Sequence, residues 1–345
     1  MIMKLQSFIT LSILTIVGAA LRFYKLDFQC LWTEELFTLA MSKLPTLDII
    51  TTFDFNPPVY YLLSHIAWMM THDIYSIRYP SVIAGILLIP CMYYLGRVYK
   101  DELTGLYCAA FTTLVFPFLY YSQYARAYEL SVLLFCISLI LYIKIKRGES
   151  LEIWFAVVCA LNVWTHLFVI IPLSLMIIDL LFDNIKNKKW IVGIVGVSLL
   201  PFINVFVEIF KSRSISTVSY GAGIIEMIVL TPLELFNSLF LNIIFLSGLG
   251  WYIGKDKLKN NLMAIAILTI VIGIGCSAFT SFFPRYFMTV SLIFLLVAAV
   301  GCVEIVRMCK LERYEMAIMI IIIAICSWMA YPNFVSHYEI VQYTC

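Results

Sequence analysis

The sequence predicts an all-α protein, a polytopic bundle of transmembrane helices. Of its 345 residues, 63% are hydrophobic and only 13% are charged, whereas a soluble domain usually carries about 25% charged residues. This deficit extends along the whole chain, which indicates many membrane segments rather than a soluble domain with one anchor. The apolar runs also lack the strict alternation of barrel strands, so we interpret them as helices.

The apolar runs divide into about eleven spanning helices. A span needs roughly 20 apolar residues, and the predicted spans lie near residues 5–23, 79–97, 103–121, 127–144, 151–166, 167–184, 190–210, 236–254, 262–281, 286–305 and 315–331. The stretch 57–71 is short for a span, and counting it would place a basic cluster on the outer side. We therefore predict a re-entrant or interfacial helix there, among short juxtamembrane helices on the outer face.

The positively charged residues set the orientation. Cytoplasmic loops carry an excess of Lys and Arg, and most basic residues fall in six groups: Lys4; Arg97 and Lys100; Lys144, Lys146 and Arg147; Lys186, Lys188 and Lys189; Lys255, Lys257 and Lys259; and Arg307, Lys310 and Arg313. We predict a multi-pass protein of the cell membrane with its N-terminus in the cytoplasm and its C-terminus outside. The net charge of +2 gives no nucleic-acid footprint.

The ten cysteines show no spacing typical of zinc sites. Most lie inside apolar runs and are interpreted as small hydrophobic residues. Cys30 and Cys345 would both face outside under this topology, and the sequence leaves open whether they pair.

The conspicuous polar motifs all fall on the outer side of this topology. They are the segment 22–35, Asp54 to Pro58, Arg78 to Pro80, Ser122 to Arg126, His166, and Pro284 to Tyr286. A charge at membrane depth costs about 3 kcal/mol on insertion scales, so chains keep such groups mainly where they face a cavity or perform chemistry. Six motifs on one side predict an outward-facing polar cleft.

Each motif taken alone has a purely structural interpretation. Glu34 and Glu35 would favour the N-terminus of an interfacial helix over 33–42, with Thr33 as its cap. Asp54 would form a turn that starts a helix at the following prolines. Arg126 and Arg285 would reach the lipid headgroups as interfacial anchors. The tyrosines would form an aromatic belt. His166 would be a polar residue at a helix turn.

The order of the motifs favours a functional interpretation, because it resembles the membrane glycosyltransferases with a GT-C fold. The most similar group holds the bacterial and archaeal relatives of the dolichyl-phosphate-mannose protein mannosyltransferases, which form glycosyltransferase family 39. It also holds the aminoarabinose transferases of lipid A. The matching motifs are LRFYKL at 21–26, LWTEE at 31–35, DFNPPVYYL at 54–62, RYPS at 78–81 with Gly85, YSQYARAYEL at 121–130, THLF at 165–168, and Arg285-Tyr286.

Three positions depart from the family pattern. The first acid of the pair is usually Asp and here is Glu34, the His before the two prolines is Asn56, and the Glu after Ser-Gln is Tyr124. The resemblance covers residues 1–185 best. It predicts a catalytic transmembrane module at 1–185 and a variable transmembrane module at 186–345 that carries an outer loop at 211–235.

The resemblance implies transfer of a sugar from a polyprenyl-phosphate carrier to an acceptor on the outer face, with inversion at the anomeric carbon. It implies Glu34 as the base, with Glu35 and Asp54 as further catalytic carboxylates; which of Glu34 and Glu35 takes the proton stays open. The expected donor-phosphate residues are Arg285, Arg126, Arg22 and Lys25. The expected substrate-binding residues are Trp32, Asn56, Tyr60, Gln123, Tyr128, His166 and Tyr286.

No cofactor is required by this interpretation, although a divalent metal held by Glu34, Glu35, Asp54 and His166 is left open. The expected partners are the lipid-linked donor, a glycan, lipid or protein acceptor, and membrane lipid. Two other classes remain: a transporter or flippase of lipid-linked glycans, which usually needs internal repeats and midplane polar groups, and a non-catalytic subunit. The sequence identifies neither the sugar nor the acceptor.

Overall fold

The computed structural model describes residues 2–51, 56–183, 185–203, 227, 240–253, 256–277, 283–311 and 314–339. Within these ranges the chain is helical and contains no strand, as the sequence predicts. The α-helices are α1 (Ile2–Phe23), α2 (Thr33–Ser42), α3 (Thr46–Thr51), α4 (Pro58–Thr71), α5 (Tyr79–Tyr99), α6 (Glu102–Leu114), α7 (Phe116–Ser122), α8 (Tyr128–Lys146), α9 (Glu152–Val163), α10 (Ile170–Phe182), α11 (Lys188–Leu199), α12 (Phe240–Tyr252), α13 (Lys257–Ser277), α14 (Met288–Met308) and α15 (Glu315–Glu339).

The described helices contain fewer membrane spans than the sequence predicts. Six are long and apolar enough to cross a bilayer, and a seventh results if α6 and α7 form one broken span. The prediction of about eleven crossings is therefore not confirmed. Helices α9 and α10 have only 12 and 13 residues. Residues 204–210 of the predicted span 190–210, and residues 236–239 and 254 of the predicted span 236–254, lie outside the described residues. Helix α4 has 14 residues and is not among the candidate spans.

Helices α6 and α7 meet at an angle of 59°. Val115 between them has an extended backbone, and Pro117 lies in the first turn of α7. A proline has no N–H to continue the hydrogen bonding of a preceding helix, so the apolar run 103–121 bends instead of continuing straight. The bend leads the chain into the polar segment 123–127.

Helix α14 forms the centre of the bundle, because nearly its whole length is buried. It packs against α12, α6, α8 and α13, while α5 packs against α6, α8 and α1. Glycines allow the closest approach: a Cβ on Gly250 would lie 2.2 Å from the Val297 carbonyl oxygen, and one on Gly96 would lie 2.8 Å from Gly105 Cα. Such contacts between small residues are typical of membrane helix pairs.

The peripheral helices α1 and α15 expose apolar side chains. On α1 these include Phe8, Ile13 and Ile16, and on α15 they include Ile321 and Trp328. Exposed apolar faces on helices of spanning length are expected to contact lipid. The chain is thus a multi-pass membrane protein.

Ion pairs join the helices at the end of the bundle that the charge pattern assigns to the cytoplasm. Lys100 pairs with Glu304, and Arg307 Nη2 lies 2.5 Å from Asp101 Oδ2. Asp101 also caps α6 by accepting from the Thr104 N–H at 2.8 Å. The polar motifs of the first half of the chain lie at the opposite end.

Candidate active site

The opposite end of the bundle is built from helix ends and short connections. The segment 24–32 leads from α1 into α2, the 3₁₀ helix Ile74–Arg78 leads into α5, the segment 123–127 joins α7 to α8, and the 3₁₀ helix Pro284–Phe287 leads into α14. The start of α4 joins this region, because the Val59 N–H donates to the Trp164 carbonyl. Side chains on these segments can converge although they lie far apart in sequence.

The Glu34 carboxylate lies between two guanidinium groups. Arg285 Nη2 is 2.8 Å from Glu34 Oε1, and Arg126 Nε is 3.7 Å from Glu34 Oε2. The Glu34 side chain is 34% exposed, whereas each arginine side chain is only 11% exposed. The site therefore combines a carboxylate that a ligand can reach with two cations that are held in place.

The neighbours of Glu34 and Arg126 fix this cluster further. The Tyr124 hydroxyl donates to Glu34 Oε2 at 3.4 Å, and burial together with the Glu34 and Glu35 charges raises the pKa of Tyr124, which keeps the phenol protonated. Arg126 Nη2 donates to Asn56 Oδ1 at 2.8 Å. Asn56 thus fixes the position of the Arg126 guanidinium.

A cavity of about 270 Å³ opens beside Arg285. Trp32, Tyr120, Tyr121 and Tyr124 line it together with Phe116, Pro117 and Arg285. Most of the lining side chains are aromatic, and the Arg285 guanidinium is the positively charged group among them. Such a surface suits a ligand that combines an apolar or ring-shaped part with an anion.

Aromatic rings surround Arg285 on its other side. Its guanidinium carbon lies 4.4 Å from the Phe283 ring centre and 5.5 Å from that of Tyr128, within the range of cation–π attraction. The His166 ring lies 5.4 Å from Tyr128 and 5.2 Å from Tyr286. Burial, together with the charges of the two site arginines, lowers the pKa of His166 to about 3, so its ring is neutral.

Glu35 does not line the cavity and is 1% exposed. Its Oε1 accepts from Arg78 Nε and the Ala125 N–H, both at 2.8 Å. Its Oε2 accepts from Arg78 Nη2 at 2.8 Å and from the Trp32 N–H at 3.1 Å. With both oxygens occupied inside the protein, Glu35 is not placed to take a proton from a substrate in the cavity.

Three further predicted residues do not line the cavity, and their hydrogen bonds go to α1, the first loop and α15. Arg22 is fully buried, and its Nη1 donates to the Gly18 carbonyl. Lys25 Nζ donates to the Tyr338 carbonyl at 2.9 Å. Gln123 Nε2 donates to the carbonyl oxygens of Leu21, Arg22 and Tyr24. The expected phosphate contacts of Arg22 and Lys25 therefore find no support in their positions.

Tyr60 is likewise buried, and its hydroxyl donates to the Ile77 carbonyl at 3.0 Å. Asp54, the third predicted carboxylate, and nearly all of the outer loop 211–235 lie outside the described residues. Arg78 and Tyr124 are two residues of the cluster that the sequence prediction omits. Both belong to motifs noted above, so the signal for them was present in RYPS and YSQYAR. The other residues that it omits line the cavity or lie beside Arg285, and they are Phe116, Pro117, Tyr120, Tyr121 and Phe283.

The described residues contain no group of three or more His, Cys, Asp and Glu side chains that could hold a metal ion. Of the four ligands considered, Glu34 is engaged by two arginines, Glu35 is fully hydrogen-bonded, and His166 packs among rings; Asp54 is not described. The donor set present does not fit a cation, because positive guanidinium groups already occupy the carboxylate.

Comparison with known proteins identifies the fold. No protein-family model and no curated protein sequence matches the chain. Solved structures match over most of it: ArnT from Cupriavidus metallidurans bound to undecaprenyl phosphate, with a TM-score of 0.66 and 14% identity over 93% of this chain, and the Archaeoglobus fulgidus oligosaccharyltransferase in complex with Zn and sulfate, with a TM-score of 0.59 and 14% identity over 97% of this chain.

A second structure from Archaeoglobus fulgidus, the oligosaccharyltransferase AglB in complex with an inhibitory peptide and a dolichol-phosphate, matches with a TM-score of 0.57 and 14% identity over 99% of this chain. The present chain spans 64% of the ArnT chain and 57% of the AglB chain. At these identities the likeness concerns the fold, which is the GT-C fold that the sequence resemblance implies.

Proposed function

We propose that this protein is a membrane glycosyltransferase that moves a sugar from a polyprenyl-phosphate donor to an acceptor hydroxyl or amine. One observation carries the proposal: an accessible carboxylate, Glu34, lies between Arg285 and Arg126 beside an aromatic cavity. Sugar transfer from a phosphate needs a base for the acceptor proton and cations for the leaving phosphate. The cluster supplies both within a few ångströms.

The structural neighbours support the choice of donor. ArnT is bound to undecaprenyl phosphate and AglB to a dolichol-phosphate in the matching structures. Both ligands are polyprenyl phosphates, and both proteins share the fold of this chain. We infer that the aromatic cavity beside Arg285 receives the phosphate end of such a lipid.

The ion pairs of Glu34 indicate how donor binding prepares the chemistry. Arg285 and Arg126 both pair with the Glu34 carboxylate and neutralise its charge. The donor phosphate also carries a negative charge and competes for the same guanidinium groups, whose planar fork suits phosphate oxygens. Donor binding thus releases the Glu34 carboxylate for the acceptor, so the donor is expected to bind first.

The transfer is then a single displacement. The acceptor oxygen or nitrogen attacks the anomeric carbon, and its proton passes to the Glu34 carboxylate. The bond between the anomeric carbon and the phosphate oxygen breaks, and the electron pair stays on the phosphate, which Arg285 and Arg126 hold. Attack opposite the leaving phosphate inverts the anomeric configuration. Glu34 is the proposed base, and residues 1–185 supply most of the site, while Arg285 comes from the second module.

The orientation of the site is also part of the proposal. Cys30, close to the cluster in the first loop, is disulfide-bonded, and disulfides form and persist in oxidising compartments. Eight cysteines elsewhere in the described chain are free. Together with the basic clusters at the other end, this supports a site on the outer face of the cell membrane and a cytoplasmic N-terminus.

The test measures release of polyprenyl phosphate from polyprenyl-phosphate hexoses and pentoses by the purified protein, with membrane extract as the source of acceptors. Glu34→Gln is expected to lower the rate by about 10²–10⁴-fold, the contribution of a general base, while still binding polyprenyl phosphate. Arg285→Ala is expected to lose that binding.

Matched controls come from the opposite end of the bundle. Glu149→Gln and Arg97→Ala change side chains that are about half exposed there, and both variants should behave like wild type. Wild-type turnover by Glu34→Gln would overturn the base assignment, and undiminished donor use by Arg285→Ala would overturn the phosphate role. Absence of transfer by the wild type with every donor would overturn the proposed function.

A further inference from the structure

Arg78 donates every one of its five guanidinium N–H groups within the protein. Nε and Nη2 donate to the two Glu35 oxygens, each at 2.8 Å. Nη1 donates to the carbonyl oxygens of Leu26 and Gln29 at 2.6 and 3.0 Å, and Nη2 also donates to that of Cys30 at 3.2 Å. The Arg78 side chain is 3% exposed, so this set of bonds is closed to solvent and to ligands.

Glu35 extends these contacts to two more segments. It accepts from the Trp32 N–H, which closes the first turn of α2, and from the Ala125 N–H. Ala125 lies between Tyr124 and Arg126, the two residues of that segment that face Glu34. The ion pair therefore joins the loop after α1, the start of α2 and the segment between α7 and α8 at one buried point.

We propose that Arg78 and Glu35 form a positioning clamp, which sets the separation of Glu34 from Arg126 and Tyr124. Neither residue touches a ligand in the cavity, and both act through the backbone on either side of the cluster. Glu34 follows Trp32 by two residues and precedes Glu35 directly, so a shift of the Glu35 carboxylate moves the base. This proposal rests on the proposed function for its catalytic consequence.

The chemistry of a buried pair provides a test that separates a clamp from a base. Removing one partner of a buried ion pair leaves the other charge buried and unpaired, which is strongly destabilising, whereas replacing both partners together leaves no unpaired charge. Glu35→Gln and Arg78→Gln should each disturb the cluster. The double variant Glu35→Gln/Arg78→Gln should disturb it less, since two amides can still hydrogen-bond.

The experiment measures kcat, the donor KM and the thermal unfolding temperature of the full-length protein in detergent for wild type, both single variants and the double variant. We expect each single variant to lower kcat by roughly 10²-fold, the cost of displacing a catalytic group by about 1 Å, with little change in donor KM. We expect the double variant to recover much of both kcat and unfolding temperature. Arg78→Lys, which keeps the charge but not the planar fork, should fall between wild type and Arg78→Gln.

Two results would overturn the clamp. If Glu35 is itself the base, the double variant stays as inactive as Glu35→Gln although its stability recovers. If the pair has no positioning role, the single variants keep wild-type kcat. Should the wild type transfer no sugar, the proposed function fails, and the clamp is then judged on the unfolding temperatures: additive losses in the double variant would refute it.

Discussion

Shortening Glu34 to Asp tests the site more sharply than removing it. The variant keeps the carboxylate and its charge but withdraws both oxygens along the chain by one C–C bond, about 1.5 Å. In the wild type the carboxylate reaches Arg285 Nη2 at 2.8 Å and Arg126 Nε at 3.7 Å. After withdrawal the shorter of these distances becomes about 4.3 Å, beyond the reach of a direct hydrogen bond.

The shorter side chain should slow proton transfer from the acceptor, and it should not weaken binding of the donor. A base must lie within about 2.6–3.2 Å of the atom whose proton it takes, and a misplacement of about 1 Å costs roughly 10²-fold in rate. We therefore expect kcat of Glu34→Asp to fall by roughly 10²-fold. The two arginines lose their competitor, so the donor KM should stay unchanged or decrease.

Steady-state kinetics with varied polyprenyl-phosphate sugar at saturating acceptor separates these two effects. The matched control is Glu149→Asp, which shortens an exposed carboxylate at the far end of the bundle and should leave both constants unchanged. A Glu34→Asp variant with wild-type kcat would refute the geometric argument. A higher donor KM in that variant would refute the proposed competition between Glu34 and the phosphate.

Three further predictions concern stability and the surroundings of the cluster. Gly85→Ala should lower the free energy of unfolding by about 1–3 kcal/mol, the usual cost of overpacking, because its Cβ would lie 2.6 Å from a buried guanidinium nitrogen; Gly193→Ala, which meets open space, is the helical control and should show no loss in the same denaturation experiment. The pKa of His166 is lowered from 6.5 to about 3, so the unfolded chain binds the proton first and stability should be lost as pH falls from about 6.5 toward 3; a His166→Gln variant that loses unfolding temperature over this range as steeply as wild type would contradict this. Tyr124→Phe removes a hydrogen bond of 3.4 Å to Glu34, which is long and therefore weak, so kcat should fall only a few-fold, and a loss as large as that expected for Glu34→Asp would contradict the assignment.

The sequence predicted that distant motifs lie close together, because the topology derived from the basic residues placed them on one side of the membrane. Arg285 lies 251 residues after Glu34, yet their side chains pair. When all basic clusters are placed at one end of the bundle, the polar motifs lie together at the other end. The order of the motifs adds Arg126 to Glu34 and Arg285. No local pattern could have given the distances within this group.

The choice between Glu34 and Glu35 could not be made from the sequence. Neighbouring residues on a helix point in directions about 100° apart, since 3.6 residues make one turn. Which of them stays accessible depends on where the buried Arg78 lies, and Arg78 is 43 residues away along the chain. The same reason explains why Arg22 and Lys25 were expected near the phosphate. Their charge is visible in the sequence, but the burial of Arg22 and the hydrogen bond of Lys25 to the Tyr338 carbonyl are not.

The described residues contain fewer spans than the sequence predicts, for a different physical reason. Hydropathy measures whether a run can lie in lipid, but it does not measure whether the helix stays straight or long enough to cross. The run 103–121 contains Pro117 and bends by 59°, and α9 and α10 are short helices separated by the turn around His166. A short apolar helix packed inside a bundle can have the same composition as a helix that spans the membrane, so hydropathy does not distinguish the two.

The three departures from the family pattern are connected by contacts that run from Asn56 through Arg126 to Glu34 and on to Tyr124. Asn56 accepts from Arg126, Arg126 lies beside Glu34, and Tyr124 donates to Glu34. A site that had lost its function residue by residue would be expected to leave unpaired charges, because nothing would select for their neutralisation. Here the longer acid still reaches both guanidinium groups, and a neutral phenol and amide supply the hydrogen bonds around them. We infer that the departures form one matched set, which favours a working enzyme with altered substrate geometry over a non-catalytic subunit.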